Sequence, residues 1–143
     1  MTEIDIHHAA RKGDLDAVKA FLEQGGDVRI LDRYDCEPLY YAVKHNQLEI
    51  ARLLLKAGGQ VNRSSRFRGD PIGAAVWNFN LRMIKFVVKA GADVNRISNN
   101  KRSLDDIDEL KRLLEFQGKS TAKLEKVEKL LISLGAKRAN DET

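Results

Sequence analysis

The chain has 143 residues, 43% of them hydrophobic and 32% charged, the balance of one ordinary folded domain and not of a disordered or membrane-spanning chain. Lys and Arg outnumber Asp and Glu by 25 to 21, with the excess C-terminal: residues 1–64 hold nine basic against ten acidic side chains, residues 65–143 sixteen against eleven, so a solvated surface is expected, with an anion-binding face as the alternative. Met1 to Asp14 lacks the apolar stretch of a secretory signal, no run reaches the roughly 18 apolar residues of a membrane span, and the lone Cys36 has no internal disulfide partner, so a cytoplasmic location is expected.

A fixed period organises everything downstream. Ile6, Leu39 and Ile72 stand 33 residues apart, and so do Gly25, Gly58 and Gly91. Ala9, Ala42 and Ala75 fall in the same register, as do Leu15, Leu48 and Leu81, then Leu22, Leu55 and Val88, then Val28, Val61 and Val94. Small residues recur where helices must approach closely and large apolar ones where a core must be filled.

The first unit, about 4–32, opens on Asp5-Ile6-His7-His8-Ala9-Ala10 without a proline or a preceding turn, as suits an N-terminal cap whose outer face meets water; Gly13 ends its first helix. The second, 33–64, has helical spacing over Leu39 to His45 and Leu48 to Lys56, broken at Asn46, which tolerates the left-handed conformation, and closed by Gly58-Gly59. In the third, 65–97, Phe79 takes the place of Gly13 and Asn46, so either the turn is remodelled or the ring has a purpose. The fourth, 98–138, is longer by about a dozen residues: Leu104 to Gly135 is a step of 31 where Leu39 to Gly58 is 19. It reads as two long amphipathic helices, Leu104 to Phe116 and Ala122 to Leu134, joined near Gly118-Lys119-Ser120, with Ser120 or Thr121 as cap and a charged outer face of Lys119, Lys123, Glu125, Lys126, Glu128 and Lys129. Residues 1–138 then form a single repeat domain, 139–143 read as a disordered tail, and Met1 with cap-like ends predicts a complete chain.

Glu37-Pro38-Leu39-Tyr40-Tyr41-Ala42 and Asp70-Pro71-Ile72-Gly73-Ala74-Ala75 resemble the ankyrin TPLHxA signature. Ala90-Gly91-Ala92-Asp93-Val94-Asn95 resembles the family's GADVN closure, and Leu48-Glu49-Ile50-Ala51-Arg52-Leu53-Leu54-Leu55 its second helix, over a stretch from about Ile4 to Arg138. The resemblance implies an all-α repeat fold, an ankyrin solenoid of helix-turn-helix units with short β-turn fingers. It also implies a non-catalytic chain, a monomer on its own, that binds another protein on a concave face. A short free-standing chain of this type resembles, too, bacterial ankyrin proteins that neutralise a toxin by covering its active surface.

Aligned on that family, the outward-pointing columns are His8, Tyr41 and Ala74; Arg11, Lys44 and Trp77; Lys12, His45 and Asn78. The finger tips add Arg33, Tyr34 and Asp35, then Arg66, Phe67 and Arg68. Aromatic residues beside arginine are the composition of binding hot spots, so Arg33, Tyr34, Tyr41, Lys44, His45, Arg66, Phe67, Arg68, Trp77, Asn78 and Phe79 are the expected partner-binding set. Packing of Tyr41 and Trp77 between repeats, with Phe79 filling a gap, is the competing reading. Arg63, Arg66, Phe67 and Arg68, with the lysine-rich C-terminal unit, are open to an alternative as an anion or nucleic-acid site, although nucleic acid is the lesser expectation beside an acidic protein.

No set of residues supports chemistry. His7 and His8 point about 100 degrees apart on a helix, and His7 takes the place of the signature histidine, which bonds the turn. His45 and Cys36 lack further phased ligands for zinc. Asp105, Asp106, Asp108 and Glu109 offer no glycine-bearing calcium loop and answer a helix dipole instead. With no phosphate-cradling loop and no nucleophile elbow, no catalytic residue, metal or cofactor is expected.

Overall fold

The computed structural model describes residues 3–95 and 103–138. Among these, eight helices run in four consecutive pairs: α1 (Ile6–Lys12) with α2 (Leu15–Glu23), α3 (Pro38–Lys44) with α4 (Leu48–Lys56), α5 (Pro71–Trp77) with α6 (Leu81–Lys89), and α7 (Ser103–Phe116) with α8 (Ala122–Ser133). The described residues form no strand, only an isolated antiparallel bridge between Ser65 and Gly69.

Local chemistry sets the helix ends. Asp5, Asp14, Asp70 and Asn80 each accept a backbone N–H from the first turn that follows, which satisfies donors the helix itself leaves unpaired. Pro38 and Pro71 open α3 and α5, where a missing N–H costs nothing. Between the paired helices the chain turns through a left-handed residue: Gly13 at φ 81°, Asn46 at 58° and Phe79 at 53°. The third turn is therefore not remodelled around its aromatic; Phe79 adopts the same backbone that glycine adopts in the first.

The first helices α1, α3 and α5 pack side by side far more closely than the second helices do, so the stack curves with the first helices inside. The reason is the alanine column: Ala9, Ala42 and Ala75 are buried and let the backbones approach. Val18, Leu54, Met83, Ile84 and Val87 fill the layer behind.

A polar ladder on the outside ties each unit to the next. Arg29 Nε donates to the Gly58 carbonyl at 2.9 Å, Asn62 Nδ2 to that of Gly91 at 2.9 Å, and Asn95 Nδ2 to that of Gly135 at 2.9 Å. These donors are 33 residues apart and each satisfies a carbonyl at the end of the following unit's second helix. Asn95 Oδ1 also accepts from Lys137 N at 2.7 Å. The long α7–α8 hairpin thus joins the stack through the same device as the shorter units, with α8 against α6.

Within that hairpin Lys111 pairs with Glu128 at 2.8 Å, and Arg138 pairs with Asp108 at 2.7 Å and Glu128 at 2.6 Å. Ser120 Oγ accepts from Ala122 N at 3.3 Å, whereas Thr121, at the cap position, donates its hydroxyl to Glu125 and makes no cap bond. The boundary between the third and fourth units, and the expected disorder of 139–143, lie outside the described residues.

Candidate protein-docking face

Two fingers project from the ends of the first helices, and each is built by one short polar residue. In the first, Asp32 Oδ1 accepts from Tyr34 N at 2.9 Å and Cys36 N at 3.1 Å, curling the chain so that Asp35 turns left-handed at φ 63°. In the second, Ser65 Oγ accepts from Phe67 N at 3.1 Å and Arg68 N at 3.0 Å while donating to the Tyr34 carbonyl at 2.6 Å. That last bond ties finger to finger.

Charge reinforces the tie. Arg63 Nη2 lies 2.8 Å from Asp35 Oδ1, and Arg66 donates its backbone N–H to Asp35 Oδ2 at 3.1 Å. The Arg66 N–H and the Arg63 guanidinium hold the Asp35 carboxyl below the usual carboxylate range. Arg63 Nε also stands 4.0 Å from Oε2 of Glu37, a side chain only 3% exposed whose other oxygen accepts from Gln60 N at 3.1 Å; burial pushes the Glu37 carboxyl up. Arg63 is accordingly an internal brace, and the expected run of free arginines in the second finger loses it.

The first helices grip the fingers in turn. His7 Nε2 sits 3.0 Å from the carbonyls of both Ile30 and Cys36, and the Tyr40 hydroxyl donates to the Arg68 carbonyl at 3.2 Å. Tyr40 thus performs, one repeat later, the task expected of the histidine place. Gly73, in that place in α5, has no side chain with which to do so.

Tyr41 was expected to face solvent, and this is corrected: it is 6% exposed, because its hydroxyl donates to Asp32 Oδ2 at 2.5 Å and its ring packs edge-on to His7 and Tyr40. Ala74 of the same column is buried too. Tyr34 is half-buried, Asn78 Nδ2 donates to the Lys44 carbonyl, and Phe79 is half-buried against the core. Phe67 and Trp77, by contrast, stand 67% and 59% exposed, and Arg33, His45, Arg66 and Arg68 are exposed too, with Arg66 over the Phe67 ring at 5.6 Å. Lys44 is half-buried.

Cations cover the tyrosine faces. The Arg33 and Arg68 guanidinium carbons lie 4.9 and 4.3 Å from the Tyr34 ring centroid, that of Arg11 lies 5.2 Å from Tyr41, and Lys44 Nζ lies 5.9 Å from Tyr40. Partial desolvation, with Lys44, Arg11 and Lys12 close by, depresses the His45 imidazole below its ordinary value. Among the described residues no group of three His, Cys, Asp or Glu side chains is placed to hold a metal ion.

Two features escaped the sequence reading although it held a signal for both. Arg29, Asn62 and Asn95 share the period already found, and Tyr40 occupies the histidine place. Asp32, which organises the first finger and binds Tyr41, stands 33 residues before Ser65, which organises the second, so it shares the period but not the residue type.

Paired helices stacked in one register, with fingers projecting from the inner row, define a helical repeat solenoid. The chain belongs to the ankyrin-repeat family: residues 6–98 match the family described as ankyrin repeats (3 copies). No curated protein matches it. Ankyrin repeats mediate protein–protein interaction and are typically non-catalytic binding modules. No helix among the described residues is long and apolar enough to cross a membrane.

Proposed function

We propose that this chain is a single domain of four ankyrin repeats, with α7–α8 as its C-terminal cap, that acts as a monomer in the cytoplasm by docking one partner protein. The role is that of an adaptor or inhibitor, neutralisation of a toxin by occlusion being one form it takes. The observation that carries the reading is the exposure of two large aromatic side chains, Phe67 on the second finger and Trp77 at the end of α5, with Arg33, Arg66 and Arg68 exposed on the fingers. Rigid aromatics offer contact area with little entropy to lose, and arginine adds directed hydrogen bonds. The nucleic-acid alternative, which draws on Arg63 and Arg66, is weakened by their engagement with Asp35.

Affinity capture from the source cell's lysate tests the reading, using wild type beside a Trp77→Ala, Phe67→Ala variant whose helical circular dichroism matches wild type. One protein retained by wild type alone, strongly at low salt and more weakly at high salt, is the expected result. Equal capture by both versions, or salt-sensitive nucleic acid alone, overturns it.

A further inference from the structure

The cations of the inner face are held in place yet left without counter-ions. Arg33 and Arg68 clasp the Tyr34 ring from 4.9 and 4.3 Å, and Arg11 lies on Tyr41 at 5.2 Å, so each guanidinium is oriented by stacking and keeps its N–H groups for something else. Among the described residues none of Arg11, Arg33, Lys44 and Arg68 has a carboxylate within ion-pair distance. The carboxylates near them are committed elsewhere. Asp32 holds the finger turn and the Tyr41 hydroxyl, Asp35 holds Arg63 and Arg66, and Glu37 and Asp70 are buried at the starts of α3 and α5. The face therefore carries uncompensated positive charge, although the N-terminal half of the sequence as a whole is slightly acidic.

Resting on the protein-docking reading, we infer that the partner segment seated on this face is an acidic stretch of polypeptide whose Asp and Glu carboxylates are received by Arg11, Arg33, Lys44 and Arg68. Stacked guanidinium forks match planar carboxylates, to which they donate paired N–H bonds. A single-stranded nucleic acid fits less well, because it needs open aromatic faces for base stacking. Here Arg33 and Arg68 lie over the Tyr34 ring, Tyr40 and Tyr41 are buried, and Phe67, though exposed, has the Arg66 guanidinium 5.6 Å from its ring centroid, which leaves Trp77 as the open ring among these.

Fluorescence anisotropy with four labelled probes tests this: a Glu/Asp-rich peptide, its Gln/Asn counterpart, a Lys-rich peptide and oligo-dT of equal charge. The Glu/Asp peptide is expected to bind about tenfold more tightly than the other three at low salt. It is expected to lose about tenfold in Arg33→Gln, Arg68→Gln, and to be unchanged in Lys123→Gln, Lys126→Gln on the C-terminal cap. Arg11→Gln, Lys44→Gln, on helices and not on fingers, gives a second reading of the same loss should the finger variant fold poorly. Equal binding of the Gln/Asn peptide, equal or tighter binding of oligo-dT, or a loss centred on the cap variant overturns the inference. None of those results touches the capture experiment, in which Trp77 and Phe67 alone are varied, so the docking reading stands or falls separately.

Discussion

The Tyr41 hydroxyl donates to Asp32 Oδ2 at 2.5 Å, fastening the first turn of α3 to the finger that precedes it. Burial works to raise the Asp32 carboxyl, but that hydroxyl, with the N–H groups of Cys36 and Tyr34, holds it below its ordinary 3.8. A carboxylate depressed in this way stabilises the fold above its unfolded value and gives that stability up as pH falls through the folded one. Tyr41→Phe should cost about 1–2 kcal/mol at neutral pH, and should move the Asp32 titration upward. Urea unfolding and carboxyl NMR read the two effects; an unmoved Asp32 would mean that the tyrosine contributes packing alone.

Asn95 ties the α7–α8 hairpin to the third unit through two hydrogen bonds, to the Gly135 carbonyl at 2.9 Å and from Lys137 N at 2.7 Å. Asn95→Ala leaves both partners to water and should cost about 1–3 kcal/mol. Because repeats touch only their neighbours, the loss should be local. Hydrogen exchange is expected to quicken in α7 and α8 while α1 to α4 stay protected. Uniform quickening along the chain would argue against independent coupling of the last unit.

Phe79 holds a left-handed backbone at φ 53°, which a side chain makes costly and glycine does not. Phe79→Ala and Phe79→Gly remove the same ring and the same contacts with the core, so their difference isolates the backbone. The glycine variant should be the more stable by about 1 kcal/mol, read from urea midpoints at equal slope. An alanine variant as stable as the glycine one would show that the turn relaxes out of the left-handed region once the ring is gone.

How much of this was legible in the sequence depends on what kind of information each feature uses. The helices follow from a periodicity that repeats at 33 residues, and even the irregular pair was readable: α7 and α8 end within a residue of where apolar spacing placed them. The fingers were not readable in the same way. Their shape rests on single short side chains, Asp32 and Ser65, bonding local N–H groups; the two stand 33 residues apart in the shared register but differ in residue type, so their column carries no common signature. For that reason Tyr41, placed by column in solvent, is drawn inward by an aspartate nine positions earlier, and Arg63, placed in a basic run, turns to Asp35 and Glu37. Trp77 and Phe67 lack such an inward partner and stay exposed.

The α7–α8 hairpin has its own dependence on pH. The Arg138 guanidinium beside Asp108, and the Lys111 ammonium followed by Arg138 beside Glu128, hold both carboxyls below their ordinary values of 3.8 and 4.5. Their contribution is present in full above those values and is lost as pH falls through the lower, folded ones. Side-chain exposures of 32% for Arg138 and 28% for Asp108 keep that contribution modest; Arg138→Gln should cost about 1 kcal/mol at neutral pH. The gap between wild type and variant should then narrow as pH falls below about 4, because protonated carboxyls no longer distinguish a guanidinium from an amide. Urea unfolding across that range measures it. A gap that persists undiminished at the acid end would show that Arg138 supports the hairpin through the packing of its stem and not through its charge.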